Sequence, residues 1–498
     1  MKQIYEQFKK EINAYKYALW LMGWDDETEA PKASKAYRTE QLEVLYTLVY
    51  KLEMDEKRLA AIDQLAKENL TGPFKREIEL EKKGIDQLRK IPQAEYIAYQ
   101  VLISKSSQIW AEAKKNSDFE AFLPTLEEII VFQKKLIKYL ETDTLKGYDV
   151  LLDMYEENMG IKEYDEFFKV LNEKLVPFVL KTAKVKQKFP SVLLKGSFNI
   201  EKQKQFNHRL ADILSYDLKK GVIKESVHPF TSGVVSVDTR VTTAYREDLI
   251  DAAIFSTIHE MGHGIYEQQV NPEFDGSILS GGVSMGIHES QSRLFENMIG
   301  RSKAFWDTYY PALQQIFAKE LKKVTAEQFH LYVNRVKRDF IRIEADELTY
   351  SLHIMIRYEI EKALFNGKLQ PKDLPKTWNK LYKKYLGLTV KNDAFGVLQD
   401  IHWSIGSFGY FPTYALGSAY AAQIYDVMNQ EIDVEQCIKN NDIRKINRWL
   451  REHIHQYGKL KTPKEIILNA TNKPFDPNYY VDYLVKKYTT IFKAYEVN

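Results

Sequence analysis

The sequence predicts a mainly helical, all-α protein, and three observations predict it. Gly (22) and Pro (15) are sparse in 498 residues, against average usage of about 7% and 5%. Long segments carry apolar residues at three-to-four spacing between Lys and Glu, the period of an amphipathic helix. No internal repeat, low-complexity tract or Pro/Gly/Ser linker divides the chain. One domain over residues 1–498, in two lobes around a deep cleft, is therefore expected, although length alone suggests about three domains.

In chain order, MKQIYEQFKKEINAYKYALWLMGWDDETEAP reads as an amphipathic opening helix. Its apolar stretch ALWLMGW is far short of the roughly 20 residues that span a bilayer, and the order of charge, apolar run and small residues of a secretion signal is missing. A cytoplasmic protein without a membrane anchor is expected. The single cysteine, Cys437, excludes a disulfide framework and a Cys-rich zinc module and fits a reducing compartment. With 71 Lys and Arg against 69 Asp and Glu, the formal charge of +2 offers no field that would recruit nucleic acid. Charged runs such as KREIELEKKG and LKKYLGLTVKND read as solvated faces or caps. Residues 221–246, GVIKESVHPFTSGVVSVDTRVTTAYR, break the helical pattern, and their β-branched residues, Gly and Pro predict a small strand-and-turn element.

That element leads into LIDAAIFSTIHEMGHGIYEQ. On a helix at 100° per residue, Ile250, Ile254, Ile258, Met261 and Ile265 form an apolar stripe about 80° wide. His259 and His263 fall opposite it, beside the small Ala252 and Ser256. At i and i+4 their Cβ atoms stand about 5–6 Å apart, close enough for two imidazole nitrogens to reach one ion. Glu260 is one step round, near such an ion but pointed past it, where a general base can take a proton from an activated water without becoming a ligand. A structural histidine pair is the plain alternative, and a third ligand is what weighs against it.

Glu267, Asp275, His288, Glu289 and Glu296 are the candidates. Glu267 lies one turn beyond His263 and would approach along the helix axis, poor tetrahedral geometry. IHESQSRLFENMI, residues 287–299, reads as a second helix with Ile287, Leu294 and Met298 on one face and Glu289, Ser292, Arg293 and Glu296 on the other. The Gly- and Ser-rich PEFDGSILSGGVSMG lets the chain fold back between the two. Glu289 is thus the predicted third ligand. His288 is read as a structural or ligand-supporting group, and Glu296 as a carboxylate that orients a ligand histidine through its free N–H.

Six motifs stand in order along the chain: His228-Pro229-Phe230, DTRVT at 238–242, HEMGH at 259–263, HESQSR at 288–293, IRIEAD at 341–346 and GVLQDIHW at 396–403. With LMGWDDETEAP near the start, they make the chain resemble the carboxypeptidase Taq family, the thermostable metallocarboxypeptidases, from about residue 15 to near the C-terminus. The resemblance implies an all-helical, clefted fold like that of angiotensin-converting enzyme and neurolysin. It also implies a zinc- or cobalt-dependent exopeptidase that removes single residues from peptide C-termini, and a homodimer.

A single divalent ion is expected, zinc first, with cobalt and manganese also accepted by two imidazoles and a carboxylate. Similar folds supply a histidine and a tyrosine to the oxyanion, which places His228 and Tyr414 in those roles; for His228 a turn histidine capping backbone is the alternative. An exopeptidase also needs an anchor for the terminal carboxylate, best supplied by Arg. On a helix through IRIEADELTYSLH, Arg342, Asp346, Thr349 and His353 share one polar stripe, so Arg342 either faces a cleft or is locked to Asp346. Arg240 in DTRVT is its competitor. Gln399, Asp400, His402 and Trp403 read as cleft-lining or supporting groups. A zinc oligoendopeptidase of the same fold, which would lack the anchor, is the second reading.

Overall fold

Apolar residues at positions 5, 12, 19 and 24 put Tyr5, Ile12, Leu19 and Trp24 on one face of the first helix, Lys2–Thr28, and these four are its buried residues. Tyr5 joins Ile62, Leu65 and Ile78 in one small core, while Ile12 and Leu19 join Val49 in another. The helices through Gly72–Arg89 therefore carry small cores of their own beside the main one, whose members run from Ala113 to Phe492. The computed structural model describes residues 1–497. It is mainly helical with one small sheet, and among the described residues no helix is long and apolar enough to cross a membrane.

The expected strand element is a three-stranded sheet: β1 (Ile223–Glu225), β2 (Thr231–Val235) and β3 (Asp238–Thr243), in the order β1-β3-β2. β1 is parallel to β3, β2 is antiparallel to it, and a bulge lies between Gly233 and Val235. Side chains alternate along a strand and directly opposed residues share a face. Thr231 opposes Val241, and together with Thr243 they face the helix Ile250–Gln269, where Thr243 Oγ1 meets Ser256 Oγ at 2.8 Å. Ser232 opposes Arg240, and that pair faces the first helix, where Trp20 Nε1 donates to Ser232 Oγ at 2.6 Å. The sheet is thus held between the opening helix and the helix that carries HEMGH.

The second helix starts at Met285, with Ser284 as N-cap accepting from Ile287 N, and runs as α-helix to Arg293. From Leu294 to Gly300 it continues as a π-helix. The extra residue per turn changes the phase of everything after Arg293 relative to a uniform α-helix, and such segments recur at functional sites. Two glycines let this helix lie against its neighbours at backbone distance. A Cβ on Gly262 would stand 2.7 Å from Ser292 Cα, and one on Gly417, in the helix Pro412–Ile432, would stand 2.6 Å from Glu289 Cβ.

Candidate metal centre and active site

The HEMGH helix buries Ile250, Ile254, Ile258, Met261 and Ile265 and leaves the His259 and His263 side chains 19% and 16% exposed. Glu289 Oε2 lies 3.7 Å from His259 Nε2 and 3.5 Å from His263 Nε2. Donor atoms of these three residues all fall within 4.8 Å of one another, and among the described residues they are the group that could hold a metal ion. Ligands about 2.0–2.1 Å from a tetrahedral ion are separated by about 3.4 Å, so the spacing fits.

The far nitrogens are committed elsewhere, as a ligand set requires. His259 Nδ1 meets Glu296 Oε2 at 2.9 Å, and Glu296 is itself held by Arg293 at 3.1 Å and Arg301 at 3.0 Å. His263 Nδ1 meets His288 Nδ1 at 2.6 Å, so one of the two must be free of its proton. His288 Nε2 lies 2.7 Å from Glu267 Oε1, which also accepts from Gly282 N. Burial pushes the Glu267 carboxyl up, but the His288 contact prevails and holds it below its usual value. An ionised Glu267 takes the His288 Nε2 proton as a hydrogen bond, which leaves His288 Nδ1 to accept from His263 Nδ1–H and turns the His263 Nε2 lone pair toward Glu289. Burial lowers the His263 pKa to about 3, so its ring is neutral.

Glu289 is buried, which would raise its pKa, yet Arg293 and the two histidines hold it well below the carboxylate range. Arg293 Nε binds its Oε1 at 2.7 Å, leaving Oε2 for the imidazoles and a 3.1 Å contact from Ser292 Oγ. Glu260 is buried as well, and its Oε2 accepts from Thr231 Oγ1 at 2.7 Å. Burial raises its pKa, partly offset by His259 and Thr231. Thr231 is a group that sequence reasoning missed; the only sign of it was a threonine at the start of the strand element.

Glu296→Gln, which keeps the volume and loses the charge, and His288→Leu, which strands His263 Nδ1, are each expected to weaken metal binding about 10- to 100-fold. Competition of the metal-free protein with a chromophoric chelator measures this, and wild-type affinity in both variants would remove these two residues from the site.

The reading of the anchor segment as one helix is corrected. The stretch IRIEAD is not helical throughout: Arg342–Glu344 is a 3-10 turn, and the helix Glu347–Phe365 begins after Asp346, its N-cap, which accepts from Thr349 N. Arg342 and Asp346 therefore share no helix face, and the Arg342–Asp346 lock is absent. Arg342 is instead buried with Nε 2.9 Å from Asp400 Oδ1 and Nη1 donating to Tyr350 OH at 3.2 Å. Arg357 holds the other Asp400 oxygen at 2.7 Å through Nε, and Gln399 Oε1 accepts from Arg342 N and Arg357 Nη2. Asp400 thus carries two guanidiniums, and Glu361 acts on the Arg357 charge as well. Arg240, by contrast, is bound to Asp238 through Nε at 2.8 Å and Nη2 at 2.9 Å, and lies over Trp20. Strand alternation turns it from Thr231 and Glu260 toward the first helix.

Tyr414 stands in the first turn of the helix Pro412–Ile432, with the Arg342 guanidinium 4.9 Å from its ring centre and His402 Nε2 3.3 Å from its hydroxyl. Burial pushes its pKa well above the usual tyrosine value, so the hydroxyl is a neutral donor. Tyr410, unremarked in the sequence, packs against it with ring centres 5.2 Å apart. Trp403 is buried and donates to Glu361 Oε1 at 2.7 Å, and Glu361 Oε2 also accepts from Gly409 N, which ties together the loops carrying Asp400, His402 and Tyr410. His228 is exposed on the loop between β1 and β2; its backbone oxygen accepts from Ser226 Oγ, and among the described residues its ring has no hydrogen-bonding partner.

The model of the carboxypeptidase Taq (M32) metallopeptidase family matches residues 4–488. The chain is 41% identical to carboxypeptidase 1 of Bacillus subtilis, over 97% of each chain, and 34% identical to thermostable carboxypeptidase 1 of Thermus thermophilus, over 98% of each. Its fold superposes on the M32 carboxypeptidase of Deinococcus radiodurans with a TM-score of 0.94 at 31% identity, covering 99% of both chains. A match along nearly the whole length, on a chain whose HEMGH histidines and Glu289 converge into a group that could hold a metal ion, places this protein in the carboxypeptidase Taq (M32) family of metallopeptidases.

Proposed function

We propose that this metallocarboxypeptidase releases single residues from the C-termini of peptides, with Glu260 as general base and then general acid. The observation that supports this most is the separation of roles on one helix: His259 and His263 converge with Glu289, while Glu260 between them is turned to Thr231 and kept out of the ligand set. His259, His263 and Glu289 are the proposed holders of one divalent ion, zinc first, with cobalt and manganese accepted by the same donors. Such an ion supplies Lewis acidity, polarising the scissile carbonyl and acidifying a water.

The chain's own residues do the rest. Thr231 holds Glu260 Oε2, and Oε1 takes the proton of the attacking water and then hands it to the leaving amine. The Tyr414 hydroxyl donates to the oxygen that becomes negative, and His228, three residues ahead of Thr231, is the second donor proposed for it. Arg342 binds the terminal carboxylate with the part of its fork not used by Asp400 and Tyr350, the planar guanidinium suiting a carboxylate. Arg240 is assigned no substrate contact. Peptides with a free C-terminus are the proposed substrates, the cytoplasm the proposed compartment, and a homodimer of single-domain, two-lobed subunits the proposed assembly.

The test compares one peptide as free acid and as C-terminal amide, followed by mass spectrometry. A ladder of single-residue losses from the acid, with the amide largely intact, is expected. Cleavage of both at the same internal bonds would replace the exopeptidase reading with that of an oligoendopeptidase.

A further inference from the structure

A cavity of about 940 Å³ is lined by His288, whose Nδ1 meets His263, and extends along Gly233, Val234 and Val235 of β2 to the first helix. Asp400, Tyr350 and Tyr414, the groups around Arg342, do not line it. A peptide anchored at Arg342 by its terminal carboxylate, with its scissile carbonyl beside Glu260, has this cavity for the residues on the amino side of the cut bond.

The cations on the cavity wall differ in one respect. Lys9 is bound to Glu77 at 2.9 Å, Lys16 to Glu53 at 2.7 Å and Arg58 to Glu81 at 2.6 Å, and Lys10 is exposed to bulk solvent. Lys459 is half-buried, and among the described residues its Nζ has neither a hydrogen-bonding nor an ion-pair partner. Its backbone is fixed, with N donating to Leu279 O at 3.0 Å and O accepting from Arg76 Nε. Glu267 acts on its charge from the same wall without a hydrogen bond or ion pair to Nζ, and its Oε1 accepts from His288 Nε2 and Gly282 N. Burial lowers the Lys459 pKa, with Glu267 opposing. A half-buried ammonium without a partner is costly unless a ligand supplies one.

We infer that Lys459 binds the carboxylate side chain of a Glu or Asp lying upstream of the bond to be cut, so that the enzyme favours acidic peptides at that subsite. The inference rests on the peptide direction proposed above. It is tested with free-acid peptides carrying Glu or Gln at each of the three positions preceding the C-terminal residue, and with the wild type, Lys459→Met, Lys459→Arg and Lys459→Glu. At one position the wild type is expected to prefer Glu over Gln by about tenfold in kcat/KM, the scale of one charge-assisted hydrogen bond. Lys459→Arg keeps that preference, Lys459→Met loses it, and Lys459→Glu shifts it to a Lys-containing peptide. Wild-type metal content and unfolding midpoint show that the variants are folded. Equal Glu-to-Gln ratios in the wild type and Lys459→Met overturn the inference. If no free-acid peptide is cut, the carboxypeptidase mechanism fails separately, and the affinities of the same peptides for Glu260→Gln still decide the role of Lys459.

Discussion

Glu260→Gln is expected to lower kcat by about 10²- to 10⁴-fold, the range that a positioned general base contributes, while the protein keeps its metal and its fold. Glutamine has the same shape and still accepts from Thr231 Oγ1, now through its amide oxygen, so the 2.7 Å contact that aims the side chain survives. What is lost is the lone pair that takes the water's proton. His259, His263 and Glu289 are untouched, so metal analysis of the purified variant returns the wild-type stoichiometry and KM for a peptide changes little. Loss of metal alongside activity would mean that Glu260 is a ligand, and retained turnover would take it out of the proton transfer.

The second large effect falls on Arg342. Arg342→Met is expected to reduce kcat/KM for a free-acid peptide by roughly 10²- to 10³-fold, the cost of removing one partner of a buried, hydrogen-bonded charge pair. Hydrolysis of the matching amide, which has no terminal charge to anchor, changes far less, so the ratio of acid to amide collapses. Asp400 keeps Arg357 at 2.7 Å, so the variant does not leave that carboxylate alone in the core, and an unfolding scan checks that the protein remains folded. Arg240→Met serves as the contrast: its fork belongs to Asp238 and its plane to Trp20, and the ratio is expected to stay at the wild-type value. An unchanged ratio in Arg342→Met would dismiss it as the anchor.

Arg342 also shows where reading a sequence along one helix fails. The stripe Arg342, Asp346, Thr349 and His353 assumes that helical phase runs through the whole segment. Asp346 instead caps a new helix by accepting from Thr349 N, and the signal was present: an Asp three residues before Thr, followed by a Glu in the first turn. The partner that Arg342 does have, Asp400, is 58 positions away, beyond the reach of any local pattern. In the second helix the uniform α reading holds to Arg293 and gives way to a π turn, so the contact between Glu296 and His259 is made by a segment whose phase the pattern did not describe.

By itself the sequence determined what depends on near neighbours. The i, i+4 histidines with a base between them, the amphipathic helix carrying Glu289, the Gly/Ser turn between the two helices and the β-branched interruption all follow from spacing, because helical and strand periods are set by backbone geometry. Only the tertiary structure decided which groups meet across long stretches of chain. It brought Thr231 to Glu260, set His288 and Glu267 behind His263, turned Arg240 to the first helix, paired Arg342 with Asp400 and put Lys459 on the cavity wall without an ion-pair partner among the described residues. Those meetings depend on helix packing at the close approaches of Gly262 and Gly417 and on the alternation of a three-stranded sheet, where burial and long-range contact, rather than local propensity, select the partner.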